Sequence, residues 1–215
     1  MADMLVAGDV DNARKLLPAL CGRDPESLDV DGLTRATLES LAENTSDAQV
    51  APMFWAAVGG APGALAYRAV NTLDAMIGHR SPRYLRFGWA GARLDDIANF
   101  VPARLTATLV ALCAPLVGGS PTGAIRVWRR DAARHPSPNA GVVEAAFAGA
   151  LGVRLGGPTR YAHALEIRPE LGDGRAPDVD DLRRAVRLSR IVQTATAVAA
   201  AIAVGRSGRR VSARA

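Results

Sequence analysis

The chain has 215 residues, 49% hydrophobic and 22% charged, which excludes a disordered tail and fits one domain with at most a small appendage. Two distant cysteines, Cys21 and Cys113, exclude a disulfide framework and a Cys-x-x-Cys zinc site. The net charge is +5 with a pI near 10.0, so nucleic acid, anionic lipid or a polyanionic small molecule are the partners that charge alone permits.

Alanine is the filler residue and aromatics are only 5%, which favours helices. Met1 to Arg14 reads as no signal peptide, because Asp3, Asp9 and Asp11 interrupt it. Asp9 to Leu20 follows as a short amphipathic helix. Asp29 or Asp31 caps a second helix that runs to about Asp47. Arg68 to Gly78, Ala92 to Arg104 and the small-residue stretch Gly141 to Val153 are further helices, the last suited to close packing. Gly156 to Pro177 is rich in Gly and Pro and reads as a polar surface loop. The last helix begins at Asp178, with Asp180 and Asp181 in its first turn. No strand alternation and no fixed repeat is visible.

Mean hydropathy of +0.07 conceals strong segregation. Val50 to Tyr67, Leu105 to Ile125 and Ile191 to Gly205 are uncharged runs of 18, 21 and 15 residues. A bilayer needs about 20 apolar residues per helix. The first run is broken by Gly59-Gly60-Ala61-Pro62-Gly63, the second by Pro115 and Gly118-Gly119-Ser120-Pro121. From Val50 to Val58 a helix rises only about 13 Å, so a re-entrant hairpin competes with a plain span. A soluble bundle of Ala-rich helices competes with both. The expected fold is all-α, a polytopic membrane protein with broken or re-entrant helices. Its parts are a polar helical stretch (1–49), a membrane core (50–125), a loop with helices (126–190), a last apolar helix (191–205) and a basic tail (206–215).

Four polar clusters flank these runs. Glu39, Glu43 and Asp47 fall at i, i+4 and i+8, one acidic stripe that also carries Asn44. It is either a solvated face or a base and Mg²⁺ site at a membrane edge. Asn71 and Asp74 share a helix face ahead of a turn with His79, Arg80 and Arg83, a setting that suits anions. Asp95, Asp96 and Asn99 are oxygen donors of the kind Mg²⁺ uses, although Asp96 can equally pair with Arg93. Arg130, Arg134, His135 and Asn139 lie around a Pro-rich loop one turn before Glu144, either a capped loop or an anion site. Walker, Rossmann, HExxH and GxSxG motifs are missing, and no DNA-reading motif interleaves aromatics with bases.

Taken in order, the run from Glu39 to Asp47, APMFWAAVGGAPGALAY, VNTLDAMIGHRSPRYLRFGWAGARLDDIANFVPARL and RRDAARHPSPNAGVVEAAFAGALGVRLGG resemble the adenosylcobinamide-phosphate synthase family, CobD/CbiB. The resemblance runs at least from Asp9 to Leu188. Members start with further apolar helices bearing a Gly-Asp-Pro and a His-Pro motif, and this chain begins where the region after those helices starts.

The resemblance implies a multi-pass protein of the cell membrane. It implies an ATP-dependent ligase that joins a carboxylate of adenosylcobyric acid to aminopropanol or its phosphate, with ATP and Mg²⁺ as cofactors. Other cobalamin-assembly enzymes and the bilayer are the implied partners, and nucleic acid is not among them. On this basis Glu43, Asp47, Asp74, His79 and His135 are catalytic candidates. Asn44, Asn71, Arg80, Arg83, Arg130, Arg134 and Asn139 are substrate-binding candidates, and Asp95, Asp96 and Asn99 metal candidates. The substrates are cytosolic, which places the active face on the cytoplasmic side. One active site needs the first two clusters together, so the break in Val50 to Tyr67 is expected to turn the chain back. A non-catalytic scaffold that binds corrinoid or a partner enzyme, and a soluble basic nucleic-acid-binding protein, are the competing functions.

Overall fold

A computed structural model describes residues 1–78, 84, 86–160 and 165–212. Two short helices, α1 (Ala2–Val6) and α2 (Val10–Leu16), precede α3 (Val30–Asn44). Asp9 caps α2 through the Asn12 N–H, and Asp29 caps α3 through the Gly32 N–H at 2.8 Å. A π-helical turn (Thr45–Val50) leads into α4 (Ala51–Ile77). Then come α5 (Trp89–Cys113), α6 (Pro121–Asp131) and α7 (Ala140–Leu151). Two strands follow, β1 (Leu155–Arg160) and β2 (Leu165–Leu171), before the long α8 (Val179–Ser212). Asp178 and Asp181 cap the start of α8 reciprocally, each accepting the other's N–H.

The centre of the protein is α7. Every residue from Gly141 to Leu151 is buried, as a helix apolar on all sides requires. Its small residues let α6 approach closely. A Cβ on Gly149 would sit 2.3 Å from the Gly123 carbonyl oxygen, and one on Gly123 would sit 2.4 Å from that of Gly149. Leu33, Leu38, Val110, Phe147, Leu182 and Leu188 fill the surrounding core without exposure above 1%.

α4 is not one rod. At Gly60 the backbone takes φ 63° and ψ −156°, a region only glycine occupies cheaply. Pro62 then starts the second arm, where a missing N–H costs nothing. The two arms lie against each other: a Cβ on Gly63 would come within 2.6 Å of the Trp55 carbonyl oxygen. At the base, the Tyr67 hydroxyl reaches the Asp47 carbonyl oxygen at 2.9 Å. The Gly/Pro break legible in the sequence is thus the tip of a helical hairpin. The stretch read as a separate helix from Arg68 to Gly78 is the lower part of its returning arm.

The second apolar run is also divided. α5 ends at Cys113, a 3₁₀ turn covers Ala114–Val117, and Ser120 caps α6 by accepting the Gly123 N–H. By length and hydropathy two helical stretches could cross a membrane, Trp89–Val117 and Val179–Arg206. Apolar side chains face outward at the tip of the hairpin (Val58, Leu65), along α5 (Ile97, Phe100, Val101, Leu112) and late in α8 (Val198, Ile202). Water-facing helices seldom gather so many.

The hairpin of β1 and β2 corrects the expectation of an all-helical chain with a surface loop at Gly156 to Pro177. The strands pair antiparallel, Gly157 opposite Arg168 and Leu155 opposite Leu171, with a bulge between Leu155 and Gly157. Leu165, Ile167, Pro169 and Leu171 do alternate with Glu166, Arg168 and Glu170. The run is short, and Pro158 and Pro169 dilute it, so the period was hidden. An isolated hairpin is marginal in water, and this one is fixed from outside. Leu155 and Leu171 are buried, and Asp131 accepts the Gly172 N–H at 2.8 Å.

Asp131 is itself held by Arg130 at 2.8 Å and Arg134 at 3.5 Å. The hydrogen bonds from Arg130 come first in holding its carboxyl below the usual range, against the opposing effect of burial. A depressed folded-state pKa stabilises above the unfolded value, about 3.9. That stabilisation is lost as pH falls through the folded value. Asp131→Asn should therefore lower the melting temperature at pH 7 and cost little at pH 2, as thermal scans in detergent at both pH values would record. Gly60→Val should cost about 1–3 kcal/mol by forcing a side chain into the glycine-only region. Equal melting temperatures for Gly60→Val and the wild type would contradict the hairpin's geometry.

Candidate functional site

Two polar clusters adjoin at the open base of the α4 hairpin. The inner one gathers residues from five parts of the chain. Glu39 on α3 is 1% exposed and fully engaged. Arg23 donates to its Oε2, Arg168 of β2 reaches the same oxygen at 3.2 Å, and the Gly156 N–H freed at the β-bulge donates to Oε1 at 2.7 Å. Burial acts first to push Glu39 up. Arg23 and Arg168 outweigh it and hold the carboxyl below its ordinary value.

Glu144 stands one turn into α7 and has no exposed surface. Its Oε1 accepts from Arg168 at 2.9 Å, whereas Oε2 meets no hydrogen-bond donor among the described residues. Burial first, and then the charge of Glu43, push Glu144 well above the usual carboxylate range, with Arg168 opposing. Glu43 approaches Arg168 at 3.9 Å. His135 faces Arg168 through Nε2, lies 3.5 Å from Glu144 Oε1, and has Nδ1 against the Ser137 backbone. Burial and then Arg168 lower its pKa, so the imidazole is neutral. One ligand atom each from Glu43, His135 and Glu144 lie within 4.8 Å of one another. Beside them a cavity of about 590 Å³ is lined by Arg23, Glu39, Glu43, Ala75, His135 and Arg168.

The outer cluster is organised by Tyr67. Its hydroxyl lies 2.9 Å from both the Asp47 carbonyl oxygen and Asn99 Oδ1, sharing one proton between them. Asn99 in turn donates to Asp95 Oδ2 at 3.0 Å, and Asn71 donates to Asp95 Oδ1 at 3.2 Å. One chain of contacts therefore joins the π-turn, one turn of the second α4 arm (Tyr67 and Asn71) and α5. The π-turn inserts a residue's worth of extra backbone, a distortion common at functional sites. Desolvation first, then Asp95, Glu43 and Asp74, push the Asp47 carboxyl up to about 8. Those causes place Asp47, Asp74, Asp95 and Glu43 in one electrostatic neighbourhood.

The remaining sequence-read candidates are distributed as follows. Asn139 donates to the Asp96 carbonyl oxygen at 2.8 Å and accepts from Arg104, which docks the His135 loop onto α5. The Asp96 carboxylate pairs with Arg93 at 3.2 Å. Arg130 and Arg134 sit on Asp131, and Arg130 also on Asp173, at the far end of the β-hairpin. Asn44 donates to the Ser40 carbonyl oxygen and lines a different cavity, between α1, α3 and α8. His79, Arg80 and Arg83 lie outside the described residues.

Sequence reasoning passed over Arg23, Tyr67 and Arg168, and left Glu144 unassigned. A lone tyrosine closing an apolar run was the available signal for Tyr67, since a buried hydroxyl demands a partner. Arg168 gave none, because the strand that aims it was read as loop.

Removal of one partner from a buried ion cluster costs about 3–5 kcal/mol. Arg168→Ala should lose that much, because Glu144 then has no cation. Arg168→Ala combined with Glu144→Gln should recover part of the loss, as chemical unfolding of the single and double variants would measure.

A family described as CobD/Cbib protein matches residues 1–189. The "Cobalamin biosynthesis protein CobD" of Mycobacterium tuberculosis (strain ATCC 25618 / H37Rv) is 71% identical over 206 residues, covering 96% of this chain and 66% of the relative. Proteins of the same description from Pelobacter propionicus and Rhodobacter capsulatus are 47% and 52% identical. Those matches cover 92% and 88% of this chain, and 62% and 60% of the relatives. The chain thus spans just under two thirds of the length of the curated relatives it matches. No solved structure matches it.

Proposed function

The chain belongs to the CobD/CbiB family, and from that premise we propose that it acts in cobalamin biosynthesis as a membrane-bound, ATP-dependent ligase. The bond made is an amide between a side-chain carboxylate of adenosylcobyric acid and aminopropanol or its O-phosphate. The observation that carries this reading is the convergence of Asp47, Asn71, Asp95 and Asn99 around Tyr67, next to the cavity that holds Glu43 and His135.

A carboxylate is a poor electrophile, and an amine joins it only after activation, here by phosphoryl transfer from ATP. That chemistry asks for a place where negative oxygens are tolerated together and a base that receives the amine's proton. The outer cluster meets the first demand. After desolvation, Asp95, Glu43 and Asp74 raise the proton affinity of Asp47, as carboxylates close enough to share a cation do. Mg²⁺ prefers such all-oxygen donor sets, and these three residues would hold it. When bound, it would neutralise phosphate charge. Asn71 and Asn99 spend their amide N–H groups on Asp95 and fix its orientation. Tyr67 ties that carboxylate to the π-turn and keeps the base of the hairpin closed. The inner cluster meets the second demand through Glu43 at the cavity and through Glu144, whose raised proton affinity makes it a strong base once a bound cation ionises it.

Trp89–Val117 and Val179–Arg206 would span the bilayer, and the α4 hairpin would enter and leave by one face. The cytosolic nature of the substrates puts that face on the cytoplasmic side. In a cysteine-free background, Gln49→Cys and Thr72→Cys, both at exposed positions, should label from the same side of intact vesicles. Labelling from opposite sides would refute the topology. Asp47→Asn and Asp95→Asn should each lower conversion of adenosylcobyric acid by at least about 100-fold while leaving membrane insertion unchanged. Wild-type turnover in both variants would remove the assignment.

A further inference from the structure

Beyond the ligase reading, on which it rests, we propose that Glu43 and Glu144 form the subsite for the substrate amine, each accepting an N–H from a primary ammonium group, with His135 as its wall. Three carboxylates, Glu39, Glu43 and Glu144, face two guanidiniums, Arg23 and Arg168, and His135 is neutral. Without a further cation, burial keeps the Glu144 carboxyl protonated and these charges cancel; a cation seated against it lets it ionise, and one negative charge is then left over. A monovalent cation balances it, whereas a divalent ion overshoots.

The acceptors are arranged for such an occupant. Glu39 has both oxygens satisfied and takes no further donor. Glu144 has Oε1 on Arg168, but Oε2 is buried with no donor among the described residues, on a side chain with 0% exposure. A buried, unmet carboxylate oxygen costs several kcal/mol unless something donates to it. Ligand atoms of Glu43, His135 and Glu144 lie within 4.8 Å of one another. Arms of about 2.9 Å from one ammonium nitrogen bridge the two carboxylates at such a separation. Zinc bonds of about 2.1 Å would require a tighter set. The adjoining cavity of about 590 Å³ has room for a three-carbon amino alcohol. Glu166 at its lining adds negative potential that draws a cation in.

The placement suits the chemistry. Glu43 is one helical turn from Asp47 and influences the protonation of both Asp47 and Glu144, so it borders both clusters. The ammonium gives one proton to the Glu144 carboxylate and becomes a neutral amine. Its lone pair attacks the carbonyl carbon of the acyl phosphate formed with ATP. The C–N bond forms, the C–O bond to phosphate breaks, and phosphate leaves with the bonding pair. The second N–H proton passes to Glu43.

Calorimetry on the full chain in detergent, with 1-aminopropan-2-ol as probe and propane-1,2-diol as its uncharged counterpart, tests this directly. Wild-type protein should bind the amine and not the diol. Glu144→Gln and Glu43→Gln should each weaken amine binding at least tenfold without changing affinity for adenosylcobyric acid. If Glu144→Gln fails to fold, the half-exposed Glu43→Gln decides the matter. Undiminished amine binding in the folded variants overturns the subsite and leaves the ligase reading standing. Equal binding of the diol overturns it too. Displacement of the amine by Mn²⁺, followed by its electron paramagnetic resonance signal, overturns it in favour of a metal site. Absence of binding by both the amine and adenosylcobyric acid, together with absence of turnover, overturns the ligase reading itself.

Discussion

Glu144 enters the centre of the protein on a helix with no exposed residue from Gly141 to Leu151, and Arg168 reaches it there from a two-stranded hairpin. That contact sets the terms for much else. A carboxyl on a helix packed from every side has no water to turn to, so a cation must be delivered to it. The delivery fixes β2 against α7, and the same guanidinium then bridges to Glu39 on α3. Gly156 and Arg23 complete the shell around Glu39. A hairpin too small to fold alone thereby becomes part of the core, and three distant segments acquire one relative position.

The second constraint is the broken helix. A continuous α4 would carry Asp47 and Asn71 to opposite ends of a rod. The turn at Gly60 brings them to the same base, where Tyr67 links the π-turn to Asn99 and so to Asp95. The apolar tip faces outward while the polar base faces the charged cavity. Hydrophobic and polar demands of one 27-residue helix are met at opposite ends of a folded hairpin.

Much of this was legible. Caps at Asp9, Asp29, Ser120 and Asp178 follow from side-chain oxygens placed before helical runs, a purely local matter. The glycine and proline at the α4 tip were readable as a break, because backbone freedom is a property of the residue itself. The acidic run from Glu39 to Asp47 was visible as a stripe, but not its partition. Glu39 is buried in ion pairs, Glu43 is half-exposed at the cavity, and Asp47 turns toward Asp95. That sorting depends on Arg23, Arg168 and Asp95, which lie elsewhere in the chain. Arg130 and Arg134 show the converse. A basic pair beside a Pro-rich loop read as either a capped loop or an anion site, and a single buried aspartate, Asp131, engages both.

By itself the amino-acid sequence determined the helical segments, the apolar runs, the point where α4 breaks and the family to which the chain belongs, since each depends on neighbouring residues or on long motifs in fixed order. Only the tertiary structure decided that Leu155–Arg160 and Leu165–Leu171 pair as strands, that Arg168 lies between Glu39 and Glu144, and that one oxygen of Glu144 meets no donor among the described residues. Charge pairing and desolvation are set by what surrounds a group in space, and the surroundings of these groups come from segments up to 129 residues apart.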